Sequence, residues 1–148
     1  MIGDIVSGGL LVAVGVGAGG YYVRAGLKAR AAQRWPPVEG TVSEFRLDEM
    51  RTRLGPRYAP VMTYRYTVNG QSYSGHRLAF GDVAEMKGIA ETWVERYKVG
   101  SPVPVYVDPS NPGEAVLEPR MWGDQYMVLV GCAAVSLIGV LMILRGVR

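Results

Sequence analysis

Two uninterrupted apolar runs constrain this chain more than any other feature. Ile5 to Val23 contains no charged side chain, and neither does Tyr126 to Leu144. Each run is nineteen residues long. As a helix, nineteen residues span roughly 28 Å at about 1.5 Å per residue, close to a hydrocarbon core of about 30 Å. A core helix of a small soluble domain seldom reaches that length without one charge on its outer face. The expected fold class is therefore a membrane α-helical hairpin, two transmembrane helices, plus a small β-rich α+β domain. The domain should have one amphipathic helix and an antiparallel sheet or partly open barrel. The boundaries that follow are 1–34 for the first helix with a basic stem, 35–120 for the domain and 121–148 for the second helix.

The helices carry their own packing and anchoring signals. Gly15 and Gly19 form a GxxxG pair, and Gly9, Ala13 and Gly17 repeat small residues at the same spacing. Cys132, Ser136 and Gly139 give the second run a matching stripe. In lipid, small residues let backbones approach closely, so these positions are helix-packing candidates. The partner is either the other helix of the hairpin or a second copy, which would make the chain a homo-oligomer through its glycine-rich first helix. Tyr21 and Tyr22 end the first run, and Trp122 and Tyr126 open the second. Amphipathic aromatics collect at the head-group level, as do basic residues, so these four join Arg24, Lys28, Arg30 and Arg34 as membrane-interface candidates. The opening Met1-Ile2-Gly3-Asp4 has no basic side chain for a signal peptide, and Ile2 excludes myristoylation.

The charge divides along the same lines. From Pro36 to Arg120 there are ten Lys/Arg and eleven Asp/Glu, so the net charge of +3 comes from the flanks. A nucleic-acid partner would need a basic face on the domain itself and is not expected. The lipid bilayer is the first expected partner, at a bacterial inner membrane. Arg24, Lys28, Arg30, Arg34 and Arg120 flank the domain side of the helices, against Arg145 and Arg148 on the tail side. The short N-terminal tail is easy to translocate, so the bias favours two passes with the domain in the cytoplasm.

Within the domain the clearest element is a hairpin. Met62, Tyr64, Tyr66 and Val68 alternate with Thr63, Arg65 and Thr67, the period of a half-buried strand. Asn69-Gly70 then supplies the preferred pair for a type I′ turn, and the strand returns through Gln71 to Leu78. That register sets Tyr66 opposite Tyr73 and His76 near Thr63. Val38 to Leu47 reads as an earlier strand, and charged Arg51 to Pro60, with Gly55-Pro56, as a loop or wide hairpin end. Asp82 to Tyr97 takes a helical period, with Asp82 and Glu85 resembling a capping box. Pro102 to Val107 is a strand that Pro104 pushes to an edge or a bulge. Asp108 to Gly113 is a turn, and Ala115 to Leu117 a last short strand.

The residues Trp35…Val38-Glu39-Gly40-Thr41-Val42, Tyr64-Arg65-Tyr66-Thr67-Val68-Asn69-Gly70, Tyr97…Gly100…Val103…Val105-Tyr106…Asp108-Pro109, Asn111-Pro112 and Leu117-Glu118-Pro119 come in a distinctive order. Over Trp35 to Pro119 they resemble the bacterial family "domain of unknown function 3592". The resemblance implies a membrane-tethered small β domain. It implies no activity and no catalytic residues.

The residues themselves present no catalytic constellation either. His76 is the sole histidine and has no oriented partner for general-base work. Cys132, the sole cysteine, lies in an apolar run and can form no disulfide within the chain. Asp108, Asn111 and Glu114 have part of the spacing of an oxygen-rich loop, but Pro109 and Pro112 explain the segment as a rigid turn. No phosphate-binding glycine motif follows a strand. No catalytic, cofactor or metal site is expected, and no enzyme. The six tyrosines of the domain are read as sheet core with hydroxyls at its rim, the alternative being an exposed binding face. Arg46, Arg51, Arg53 and Arg57 are the partner-binding candidates, suited to an acidic protein or lipid head groups. The expected function is a non-enzymatic interaction module at the membrane surface, its partner another membrane or membrane-proximal protein. The alternatives are an immunity-type protein that neutralises a toxin, or an accessory subunit of a membrane enzyme or transporter. Two uncharged helices offer no ion path of their own.

Overall fold

The computed structural model describes residues 2–81, 83–123 and 125–147, without the side chains of Ile2, Gln125 and Tyr126. The chain forms two compact units, one built from the first helix up to Leu27 together with the last helix, the other from Lys28 to Gly123.

The first unit consists of α1 (Ile2–Ala32, up to Leu27) and α3 (Gln125–Gly146). Both helices are long and apolar enough to cross a membrane. Only 11% and 6% of their apolar windows are buried, which separates them from the covered core helix of a soluble fold. Their outer faces carry Val6, Leu10, Val14 and Val16, and Met127, Val130, Leu137, Leu141 and Leu144. The two helices meet antiparallel, Gly8 against Gly139 and Gly15 against Ser136 and Cys132.

The second unit is a five-stranded antiparallel sheet in the order β3-β2-β1-β4-β5. Its strands are β1 (Pro37–Thr52), β2 (Gly55–Val68), β3 (Gln71–Gly75), β4 (Pro102–Asp108) and β5 (Asn111–Val116), with α2 (Lys87–Arg96) between β3 and β4. The core hairpin β2–β3 turns at Asn69 and Gly70, both at positive φ, and pairs Tyr66 with Tyr73. The sheet curls until its two ends meet. Leu117 and Glu118, just after β5, donate their N–H groups to the carbonyls of Arg77 and Leu78, just after β3, at 3.3 and 2.7 Å. The Tyr64 hydroxyl reaches both sides of this closure, at 3.0 Å from the Arg77 carbonyl and 3.1 Å from that of Ala115.

Four sequence expectations need correction. Strand pairing does not stop at Leu47. It continues to the Thr52–Gly55 pair, so of the two readings of Arg51 to Pro60 the hairpin end is the one present, tight rather than wide, and it forms the far half of a β1–β2 ribbon. A bulge between Val42 and Glu44 makes this work. It shifts the inward phase by one residue, so that Phe45 and Leu47 stay on the core face that Val42 occupies. Second, α2 begins at Lys87, after an extended Met86 that makes no side-chain cap. Glu85 instead exchanges two backbone hydrogen bonds with Tyr58 on the free edge of β2, which holds it outside the helix. Asp82, the other half of the expected capping box, lies outside the described residues. Third, β4 is interior, between β1 and β5. Pro104 is tolerated because β5 pairs only with Tyr106 to Asp108, so no ladder partner faces the proline on that side. Fourth, Met121 and Trp122 belong to the domain. Met121 bridges Phe80, and Trp122 packs edge-on against Trp93 with ring centroids 5.3 Å apart.

The barrel interior holds Val42, Met62, Tyr64, Tyr66, Trp93 and Val105. A second, smaller core lies under the C-terminal turn of α1, where Ala29, Ala32 and Trp35 cover Val116 and Phe80. Each alanine presents almost no side chain, so the stem helix sits close against the sheet.

Candidate functional site

The half-buried polar groups of the domain are committed to its architecture. The Glu118 carboxylate accepts from the Tyr97 hydroxyl at 2.7 Å and from Arg96 and Arg120. Burial, followed by the neighbouring Glu118, pushes the Tyr97 phenol well above its ordinary range. Burial does the same to Tyr64. Glu114 accepts from Lys28 on the stem and from Arg77. The Lys28 hydrogen bond is the main reason its carboxyl lies below the usual carboxylate range. Asp108 is held low chiefly by the Ser110 hydroxyl, which makes its segment a self-capped turn. Among the described residues no three His, Cys, Asp or Glu side chains converge as a metal site. His76 lies 3.2 Å from Thr63 Oγ1 on an exposed face.

The tyrosines belong mostly to the interior. Tyr64, Tyr66 and Tyr97 are buried, and Tyr58 and Tyr73 are packed partly against them. Tyr106 packs beside the second core. The hydroxyls of Tyr64 and Tyr66 donate to main-chain carbonyls, the latter to Pro112 at 2.7 Å.

The structure divides the interface and packing candidates. Arg24, Arg30 and Arg34 are exposed, as is Tyr21, whose ring meets Tyr22 edge-on at 5.4 Å. Lys28 is spent on Glu114. Trp122 is engaged on three sides, by Trp93, by its indole N–H to Glu85 at 3.1 Å and by the Arg120 guanidinium 4.0 Å above its ring. It is therefore packed into the domain. The Tyr126 side chain lies outside the described residues. Gly15, Gly19, Cys132, Ser136 and Gly139 lie at the contact between α1 and α3, and Gly8, absent from the sequence candidates, joins them. A Cβ on Gly139 would stand 2.6 Å from the Gly8 carbonyl oxygen, and one on Gly8 the same distance from that of Gly139. Gly9 and Gly17 have open space around them, and Ala13 is exposed, so these three take no part in that contact.

Two surfaces of the domain carry side chains without an internal role. One is the distal β1–β2 ribbon. There Arg46 pairs with Asp48 at 3.4 Å, and Arg51 and Arg57 lie 3.9 Å from Glu49 and Glu85. Arg53 has no described partner. The other is an open groove of about 480 Å³ on the outer face of β1, β2 and β3, lined by Glu39, Thr41, Arg65, Thr67, Ser72 and Ser74 over the backbone at Gly40. Cross-strand pairing sets Thr41 beside Arg65 and Arg65 beside Ser74, with Thr67 beside Ser72. None of these six side chains bonds to another described residue. The groove was missed as a site in the sequence, although the alternation through Thr63, Arg65 and Thr67 already assigns them to the outer face.

The comparisons with known proteins bear on the same segment. No curated protein matches the chain. A family model described as "Domain of unknown function (DUF3592)" matches residues 38–122, which is more than half of the sequence and nearly all of the β domain. The chain belongs to the DUF3592 family.

Proposed function

We propose that this protein is a two-pass membrane protein whose β domain is a non-enzymatic interaction module for another membrane or membrane-proximal protein. The observation that carries the reading is the contrast between interior and groove. Inside the domain the polar side chains are spent on closing the barrel and seating the stem. On the outer face of β1–β3, one guanidinium, one carboxylate and four hydroxyls stand together without internal partners. Small hydroxyl side chains let another surface approach the strands closely, and Arg65 and Glu39 supply opposite charges that fix its register. A fork-shaped guanidinium suits a carboxylate on the partner.

Two helices with long uncharged runs and largely uncovered apolar faces support the membrane part of the reading. The basic bias of the flanks supports a cytoplasmic domain in a bacterial inner membrane. A photo-crosslinking residue at Thr67 in living cells tests the module. It should give one discrete adduct that Arg65→Glu and Glu39→Lys both abolish, while the same residue at Ser110 gives none. An adduct pattern unchanged by either charge reversal would refute the groove as the docking surface.

A further inference from the structure

Three connections of the sheet are two-residue turns, and the β1–β2 turn differs in chemistry from the others. The β2–β3 turn is Asn69-Gly70, the uncharged polar pair that a two-residue loop favours. The β1–β2 turn is Arg53-Leu54. Its shape is held by Thr52, whose hydroxyl oxygen accepts the Leu54 N–H at 3.3 Å and whose hydroxyl donates to the Gly55 carbonyl at 2.7 Å. Gly55, at φ +111, takes the backbone conformation that a side chain would resist. The apex is therefore a fixed turn that displays Leu54, which is 89% exposed, more than any other large apolar side chain described. Met50, on the same ribbon, is also exposed. Arg57 lies opposite Met50 across the ribbon; Arg51 and Arg57 stand 3.9 Å from Glu49 and Glu85, while Arg53, beside Leu54, has no described partner. The ribbon stands clear of the barrel beyond the Tyr58–Glu85 bridge, by about 10 Å at about 3.3 Å per residue.

We infer that the Arg53-Leu54 apex is a second membrane contact, one that inserts into the interface of an anionic lipid bilayer. This rests on the reading of α1 and α3 as membrane helices and names a surface separate from the groove. Leu54 and Met50 are costly to leave in water, and the acyl boundary takes them up. The arginines around them reach the phosphate level, where anionic lipid attracts each basic residue.

The test uses the full chain in nanodiscs holding one copy each. Cys132→Ala removes the native thiol, and Met50→Cys takes an environment-sensitive NBD label, leaving Leu54 and the arginines in place. In discs of phosphatidylcholine with phosphatidylglycerol, doxyl-lipids should quench the label about twofold or more, and iodide should lose access to it. Leu54→Ser, or Arg51→Gln with Arg53→Gln, should return the label to water, as should discs of phosphatidylcholine alone. A label open to iodide in anionic discs overturns the inference. Protection from iodide without doxyl quenching also overturns it, because the apex would then lie against protein. Retention of the chain in the discs is read separately by co-elution, so failure of the membrane reading itself is distinguishable.

Discussion

Gly75→Ala should be among the most damaging single-methyl changes in the domain, and its cost follows from one ring. A Cβ at Gly75 would stand 2.5 Å from Tyr64 Cζ, 2.7 Å from its hydroxyl oxygen and nearer still to Cε2. The ring cannot swing aside, because Tyr64 is 0% exposed and its hydroxyl is tied to the carbonyls of Arg77 and Ala115. Overpacking of this kind costs about 1–3 kcal/mol. Displacing the hydroxyl removes a net hydrogen bond of about 1 kcal/mol and strands a buried donor at about 1–3 kcal/mol. The sum is about 3–7 kcal/mol, and it falls on the residue that closes the barrel. All three tryptophans, Trp35, Trp93 and Trp122, lie in the domain, so tryptophan fluorescence follows its unfolding alone in the detergent-solubilised chain. The two positions should be coupled. Tyr64→Leu should itself be destabilising, but in its presence Gly75→Ala should cost at least about 2 kcal/mol less, since the clashing ring is gone. Additive losses, or a Gly75→Ala cost below about 1 kcal/mol, would refute the steric account.

Other perturbations separate the remaining contacts. Gly70→Val should cost about 1–2 kcal/mol in the same assay, because Gly70 sits at φ +79, where a β-branched residue is strained. Glu114→Gln should lower stability by about 1 kcal/mol at neutral pH, a figure reduced for the partial exposure of its partners. Its folded carboxyl is depressed, so the wild-type advantage is full above the ordinary glutamate range and lost as pH falls through the lower folded value; the two melting curves should converge in acid. Membrane insertion is checked by alkaline carbonate, which should leave the chain in the pellet. For orientation, a cysteine at Ser110, with Cys132→Ala, should react with an impermeant maleimide only in lysed cells; labelling of intact cells would place the domain outside.

What could be read in the sequence and what could not differ for physical reasons. The apolar runs, the Asn69-Gly70 hairpin and the inward tyrosines rest on composition and period, which are local, and the structure shows the same helices, turn and Tyr66–Tyr73 pairing. The far ribbon rests on cross-strand pairing between polar residues, such as Glu49 with Tyr58, whose hydroxyl donates to the carboxylate at 3.2 Å. No hydrophobic pattern announces that. The Ser43 bulge hides the phase of Phe45 and Leu47 from a strict period of two. Glu85 reads as a helix start, yet its backbone serves the edge of β2, a contact between distant segments. Ala29 and Ala32 look like ordinary helix formers, and only the fold shows them buried against Val116 and Phe80. The groove and the Arg53-Leu54 apex are surfaces, defined by which side chains lack an internal partner, and that follows only once the partners are known.

The central claim is that the two end helices form one antiparallel hairpin, and Cys132 provides a direct test. A Cβ on Gly19 would lie 3.6 Å from the Cβ of Cys132, within the range of about 3.5–4.5 Å that a disulfide bridges. Gly17 faces open space. Mild oxidation of membranes carrying Gly19→Cys should therefore join it to Cys132 within one chain. The product is a monomer that no longer reacts with maleimide after denaturation, whereas Gly17→Cys should stay reduced or link only between copies. Intramolecular cross-linking at Gly17 with none at Gly19, or Gly19→Cys joined solely as a dimer, would contradict the hairpin.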